Sequence, residues 1–114
     1  MILVEDAQLA AFAPQLDAQF RSRCIAALRS RGQWQEERLE RAVDTALERA
    51  RALNLSEERS VLAYLLLATD VMLAQPEEHV ARSVEAILGD TAFAEWQRVR
   101  LAEDYFRQMH RPAA

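Results

Sequence analysis

The sequence predicts an all-α protein, a single-domain compact bundle of five to six helices around a central apolar helix at about 57–74. Three observations carry that prediction. Turn-formers are scarce, with two glycines (Gly32, Gly89) and three prolines (Pro14, Pro76, Pro112) in 114 residues. Ala, Leu, Glu, Gln and Arg dominate instead, and these lose least side-chain freedom in a helix. Runs of Val, Ile, Thr and Tyr that would make strands are missing. With 51% hydrophobic and 28% charged residues, the chain has the balance of one folded domain with one core.

Taken in order, Asp6 suits the cap of a short helix within 1–13. Pro14 fits a first helical position, after which Leu16, Phe20, Cys24, Ala27 and Leu28 recur at helical spacing until Gly32 ends the helix. Trp34 falls in the connection, where a large ring plugs the seam between two helices. From 35 to 53 the stripe Leu39, Ala42, Val43, Ala46, Leu47, Ala50 and Leu53 predicts a second amphipathic helix. Glu37 with Arg41 and Glu48 with Arg51 are spaced as surface pairs on it. Asn54 then suits a left-handed cap, and Ser56 the N-cap of the next helix with Glu57 and Glu58 in its first turn.

That next helix holds the apolar run 61–74, which rises about 21 Å at 1.5 Å per residue, short of the roughly 30 Å hydrocarbon core. A membrane span is therefore not expected, and a helix apolar on nearly every side is read as the central element. Its smallest side chains, Ala63 and Ala74, share a side with Arg59 and Asp70, which puts Asp70 at an edge. Pro76 closes it. A shorter helix is expected over 77–88, with Val80, Val84, Ile87 and Leu88 inward and Gly89 at its end. The last helix is expected to start at Asp90 or Thr91 and to run to Met109 with Phe93, Trp96, Val99, Phe106 and Met109 on its inner side; 110–114 reads as a frayed tail.

The formal charge of -4 and pI near 5.2 argue against bulk affinity for phosphate backbones or anionic lipid, so neither nucleic acid nor membrane is an expected partner. All fourteen basic residues are Arg, the side chain that pairs bidentately with carboxylates and stacks on rings. The opening MILVEDAQLAAF has no basic flank before a long apolar stretch, so no signal peptide and a cytoplasmic location are expected.

Catalytic constellations are missing from the sequence. His79 and His110 stand alone, no HExxH, paired ExxH or GxSxG occurs, and two isolated glycines cannot form a phosphate loop. The single cysteine, Cys24, lies on an apolar stripe and reads as a buried, inert thiol. The acidic doublets Glu5-Asp6, Glu36-Glu37, Glu57-Glu58 and Glu77-Glu78 fall near expected helix starts, where the macrodipole favours them, while Glu103-Asp104 is mid-helix and expected in solvent. No catalytic residue, metal or cofactor is expected, and the chain is read as a non-enzyme.

Residues 21–31, RSRCIAALRSR, hold Arg21, Arg23, Arg29 and Arg31 with no acid between Asp17 and Glu36. Together with Trp34 these are the candidate partner-binding residues, since Arg and Trp are common interface anchors. The same segment would serve a nucleic-acid-linked regulator, the competing reading. Residues 50–65 have the outline of a helix-turn-helix, but the would-be reading helix begins Ser-Glu-Glu and turns apolar, so it is built for a core.

Phe20, Leu28 and Arg29, then Ala50, Leu55, Glu58, Val61, Tyr64 and Leu65, then Ala86-Ile87-Leu88-Gly89-Asp90 and Arg100-Leu101 form a further pattern. Over roughly 20–102 it resembles small all-helical proteins encoded beside type VI secretion effectors and their spike-tip genes in proteobacteria. Where that group carries YLxL followed by a Gly and a Phe-Asp pair, this chain has Asp70, Met72-Leu73 and Pro76. The resemblance implies an accessory role: an adaptor or chaperone that binds an effector, toxin or spike component, or a cognate immunity protein. Homodimer formation through a leftover apolar face is a further expectation.

Overall fold

The computed structural model describes residues 18–110, and all of its described secondary structure is helical. The short helix expected over 1–13, the start at Pro14 and the tail beyond His110 lie outside the described residues. Five helices follow one another: α1 (18–30), α2 (Glu36–Ala52), α3 (Glu58–Ala74), α4 (Glu78–Leu88) and α5 (Glu95–Met109). Among the described residues no helix is long and apolar enough to cross a membrane. Contacts divide the chain into two compact units, one up to Val43 and one from Asp44 onward, with the boundary inside α2.

In the first unit, α1 buries Cys24, Ile25 and Leu28, three members of one helical stripe. It closes through Gly32, whose N–H reaches the Arg29 carbonyl at 3.0 Å and whose φ of 69° is the left-handed geometry that glycine adopts without steric cost. The Arg29 guanidinium pairs with Glu36, linking the end of α1 to the start of α2. The expected stripe of α2 is found, with Leu39, Ala42, Val43, Ala46 and Ala50 buried.

The second unit begins in α2, which ends in a Schellman motif. Asn54, at φ 59°, donates to the Arg51 carbonyl at 3.0 Å, and Leu55 donates to the Ala50 carbonyl at 2.9 Å. The two bonds satisfy carbonyls that the helix end would otherwise leave open, while Leu55 turns inward and is buried. Asn54 is thus the left-handed cap that the sequence suggested.

From Ser60 to Val71 no residue of α3 is exposed, as expected of the apolar helix. Leu65 is fully buried, so truncating it to Ala would cost about 2–5 kcal/mol. The buried Thr69 hydroxyl donates back to the Leu65 and Leu66 carbonyls at 3.0 Å, which satisfies it within the helix. Beyond Val71 the cover ends: Met72 is 52% exposed and Leu73 44%. Asp70 is half-buried, at the edge position expected of it. Gln75 then takes a left-handed conformation at φ 47°, directly before Pro76.

The α4 helix buries Val80, Val84 and Leu88, and α5 packs against both α4 and α3. The start of α5 corrects the sequence reading. The helix begins at Glu95 rather than at Asp90 or Thr91, because the Asp90 carboxylate accepts the Ala92 N–H at 3.1 Å and holds a local turn. Ala94 is the N-cap, and its N–H donates to the Gln97 side chain at 3.1 Å. The inner face is corrected with it. α5 buries Arg98, Val99, Ala102 and Phe106, whereas Phe93, Trp96 and Met109 are exposed. Phe93 lies before the helix, and Trp96 sits about 100° around the cylinder from the middle of the buried face at 100° per residue.

Candidate functional site

The arginines singled out in the sequence do not form one face. At 100° per residue, Arg23 points about 120–160° away from Arg29 and Arg21 along α1. Arg23, Arg29 and Arg31 are exposed and Arg21 is half-buried. Arg29 is taken by Glu36, whose hydrogen bond and charge raise its pKa, while Arg29 lowers that of Glu36 in return. Arg23 lies 5.6 Å over the Phe20 ring. Arg21 and Arg31 have contacts of their own as well. Trp34 is half-buried, and its indole nitrogen is buried without a hydrogen-bond acceptor. Its ring is thus partly covered.

A different constellation stands in the second unit, in a cleft of about 580 Å³ between the first turns of α3 and the length of α5. From α3 come Arg59, Ser60 and Ala63. From α5 come Trp96, Val99, Arg100, Glu103, Asp104 and Arg107. The five polar or aromatic members of the α5 wall lie within about 100° of one another around the helix, which makes them a single stripe. Ala63 belongs to the side of α3 with the smallest side chains, and that smallness leaves room for the cleft.

Two polar residues, the half-buried Glu95 and the buried Arg98, hold the walls in place. The Glu95 carboxylate, at the first residue of α5, accepts the Ser56 hydroxyl at 2.8 Å, the Ser56 N–H at 3.0 Å and the Glu57 N–H at 2.9 Å. Ser56 therefore does not cap α3 with its own side chain, as the sequence suggested; α3 has Glu57 at its N-cap and no side-chain cap from within. A carboxylate from α5 meets these donors from across the fold. Burial pushes the Glu95 carboxyl up, but the Glu57 and Ser56 N–H groups, the Ser56 hydroxyl and the nearby Arg98 charge outweigh it and hold the pKa below its ordinary value.

Arg98 is only 5% exposed. Its Nη1 donates to the Leu53 carbonyl at 3.0 Å and to the Leu88 carbonyl at 2.9 Å. One guanidinium thus satisfies carbonyls at the C-terminal ends of α2 and α4, where the helix dipoles favour a cation. Elsewhere in the unit, Arg49 of α2 donates to Glu85 of α4 at 2.8 Å, which raises its pKa. Tyr64 of α3 lies in the same cluster; burial, then the Glu85 charge, raise its phenol above the ordinary value.

Within the cleft the charges are unequally matched. Arg107 pairs with Glu103 at 2.6 Å. Among the described residues Arg59 and Arg100 have no ion-pair or hydrogen-bond partner for their side chains. Trp96 is 45% exposed. The Ser60 hydroxyl oxygen is buried and has no hydrogen-bond partner. Asp104 is exposed as expected and Glu103 half-buried, and both stand on the cleft wall. The sequence reading missed this site because it counted Trp96 as core. The signal that finds it is the spacing 96, 100, 103/104, 107, which puts Trp96 on one stripe with charged residues.

The cleft thus presents two cations, a carboxylate at Asp104 and an exposed indole to whatever enters it. Among the described residues no group of three or more His, Cys, Asp or Glu side chains is placed to hold a metal ion. Comparison with family models, curated proteins and solved structures gives no match for this chain.

Proposed function

We propose that this chain is a non-catalytic helical protein-binding module, and that its partner docks in the cleft between α3 and α5. The observation that carries this reading is Trp96, a large ring left 45% exposed on a wall it shares with the unpaired Arg100 and opposite Arg59. Trp and Arg are the side chains that dominate binding energy at protein interfaces. An exposed indole also has much apolar surface to lose to a partner. The resemblance in sequence supports the finer reading, an adaptor or chaperone in a type VI secretion effector module, with a cognate immunity protein as the other accessory role.

Affinity capture from the native host, with mass spectrometry to name what is captured, tests the reading. Trp96→Ala should abolish capture of the specific partner while the helical circular dichroism signal stays intact. If Trp96→Ala captures the partner as the wild type does, the cleft is not the docking surface. A variant with Arg21, Arg23, Arg29 and Arg31 all changed to Glu should retain capture; its failure to do so would move the interface to α1.

A further inference from the structure

We infer that the element received by this cleft is an acidic amphipathic segment of the partner, with a carboxylate at the Trp96 end reaching Arg59 and Arg100; this rests on the docking reading above. Charge is the first argument. Glu103 is neutralised by Arg107 at 2.6 Å, which leaves two cations, Arg59 and Arg100, against one anion, Asp104, among the side chains of the cleft. The surplus is positive in a chain whose overall charge is -4. A guanidinium is built to meet a carboxylate through paired N–H donors, and here two of them lack one.

Ser60 is an independent second argument. The residue is 2% exposed and lines the cleft, and its hydroxyl oxygen has no hydrogen-bond partner. Serine in a helix ordinarily returns its hydroxyl to a carbonyl one turn back, as Thr69 does on the same helix. An orphaned hydroxyl beside two unpaired arginines is a donor awaiting an acceptor oxygen. Asp104 fixes the direction of the ligand. It stands one turn beyond Arg100, so it repels a carboxylate from the Arg107 end and leaves the Trp96 end as the place for negative charge. Val99 and the Trp96 ring supply the apolar wall for the segment's other side chains.

The test uses a fluorescein-labelled peptide of alternating Glu and Leu, titrated with the full chain and followed by anisotropy. A peptide with Gln in place of Glu and a labelled oligothymidylate serve as comparisons. The Glu peptide should bind, the Gln peptide should not, and the affinity should fall as salt rises. Arg59→Ala with Arg100→Ala should weaken binding about ten-fold or more, the worth of one charge-assisted contact, and Asp104→Asn should strengthen it. Equal binding of the Gln peptide, an unaffected double variant, or tighter binding of the oligothymidylate to the same arginines would overturn the inference. If Trp96→Ala abolishes capture of the natural partner and the double arginine variant does not, the docking reading stands and the acidic segment falls. If neither variant matters, both fall.

Discussion

Glu95 caps a helix to which it does not belong: its carboxylate takes the Ser56 hydroxyl at 2.8 Å, together with the backbone N–H groups that open α3. The contact spans 39 residues of sequence and joins the starts of the two helices that form the cleft. Glu95→Ala should therefore lower stability by about 1–2 kcal/mol, the usual worth of a lost N-cap, as read by urea denaturation. An unchanged midpoint would show that water replaces the carboxylate without loss.

The same contact sets a pH dependence. The Glu95 pKa is lowered in the folded chain, against an unfolded reference of about 4.3. Its stabilisation is thus complete above that reference and is lost as pH falls through the folded value. The urea midpoint of the wild type should drop more steeply on acidification below about pH 4 than that of Glu95→Gln, which has no proton to gain. Parallel curves for the two proteins would contradict the assignment.

Arg98→Met keeps the length of the side chain and removes its donors. The Leu53 and Leu88 carbonyls then lose the bonds they make at 3.0 and 2.9 Å, at about 1–3 kcal/mol for each buried acceptor left without a partner. A combined loss of about 2–6 kcal/mol is expected from denaturation curves. Arg98→Ala should cost more, since it also leaves a cavity beside Val99 and Ala102.

Backbone conformation offers a test in both directions. Gln75 holds φ 47° without being glycine, so Gln75→Gly should raise stability by about 1 kcal/mol. Asn54→Gly should change it by a few tenths, because Asn tolerates the left-handed region. Gly32→Ala should lower it by about 1 kcal/mol. No atom lies within 4 Å of a Cβ added at Gly32, so that cost would be purely one of backbone geometry.

Cys24 is fully buried. Its thiol should react with a disulfide reagent only as fast as the chain opens, and at once in urea. Rapid stoichiometric reaction of the native protein would mark it as accessible.

Local chemistry was legible in the sequence. The spacing of Leu39, Ala42, Val43, Ala46 and Ala50 marked the buried face of α2, and Asn54 and Gly32 marked helix ends at positive φ. Such features depend on neighbours within a turn or two. The errors arose where a distant partner or a competing local bond decided the outcome. Asp90 resembled an N-cap, but it closes a turn on Ala92 and delays α5 to Glu95. Ser56 resembled a cap as well, yet its hydroxyl serves Glu95.

Arg98 carried no signal at all. An arginine between Gln97 and Val99 looks like surface until the helix ends at Leu53 and Leu88 are brought to it. The cleft was hidden for a related reason. Hydrophobicity placed Trp96 inside, and only the observed burial of Arg98 and Ala102 beside Val99 and Phe106 shows that Trp96 shares a stripe with Arg100 and Arg107 instead.

The Arg98 bridge also bears on how the molecule breathes. One side chain closes the last turns of two helices, so neither turn can fray while the other stays shut without breaking a buried contact. Amide protons there, at Leu55 after α2 and Gly89 after α4, should exchange with solvent deuterium at a common opening free energy. Fraying, ordinarily a private matter for each helix, becomes here a joint event.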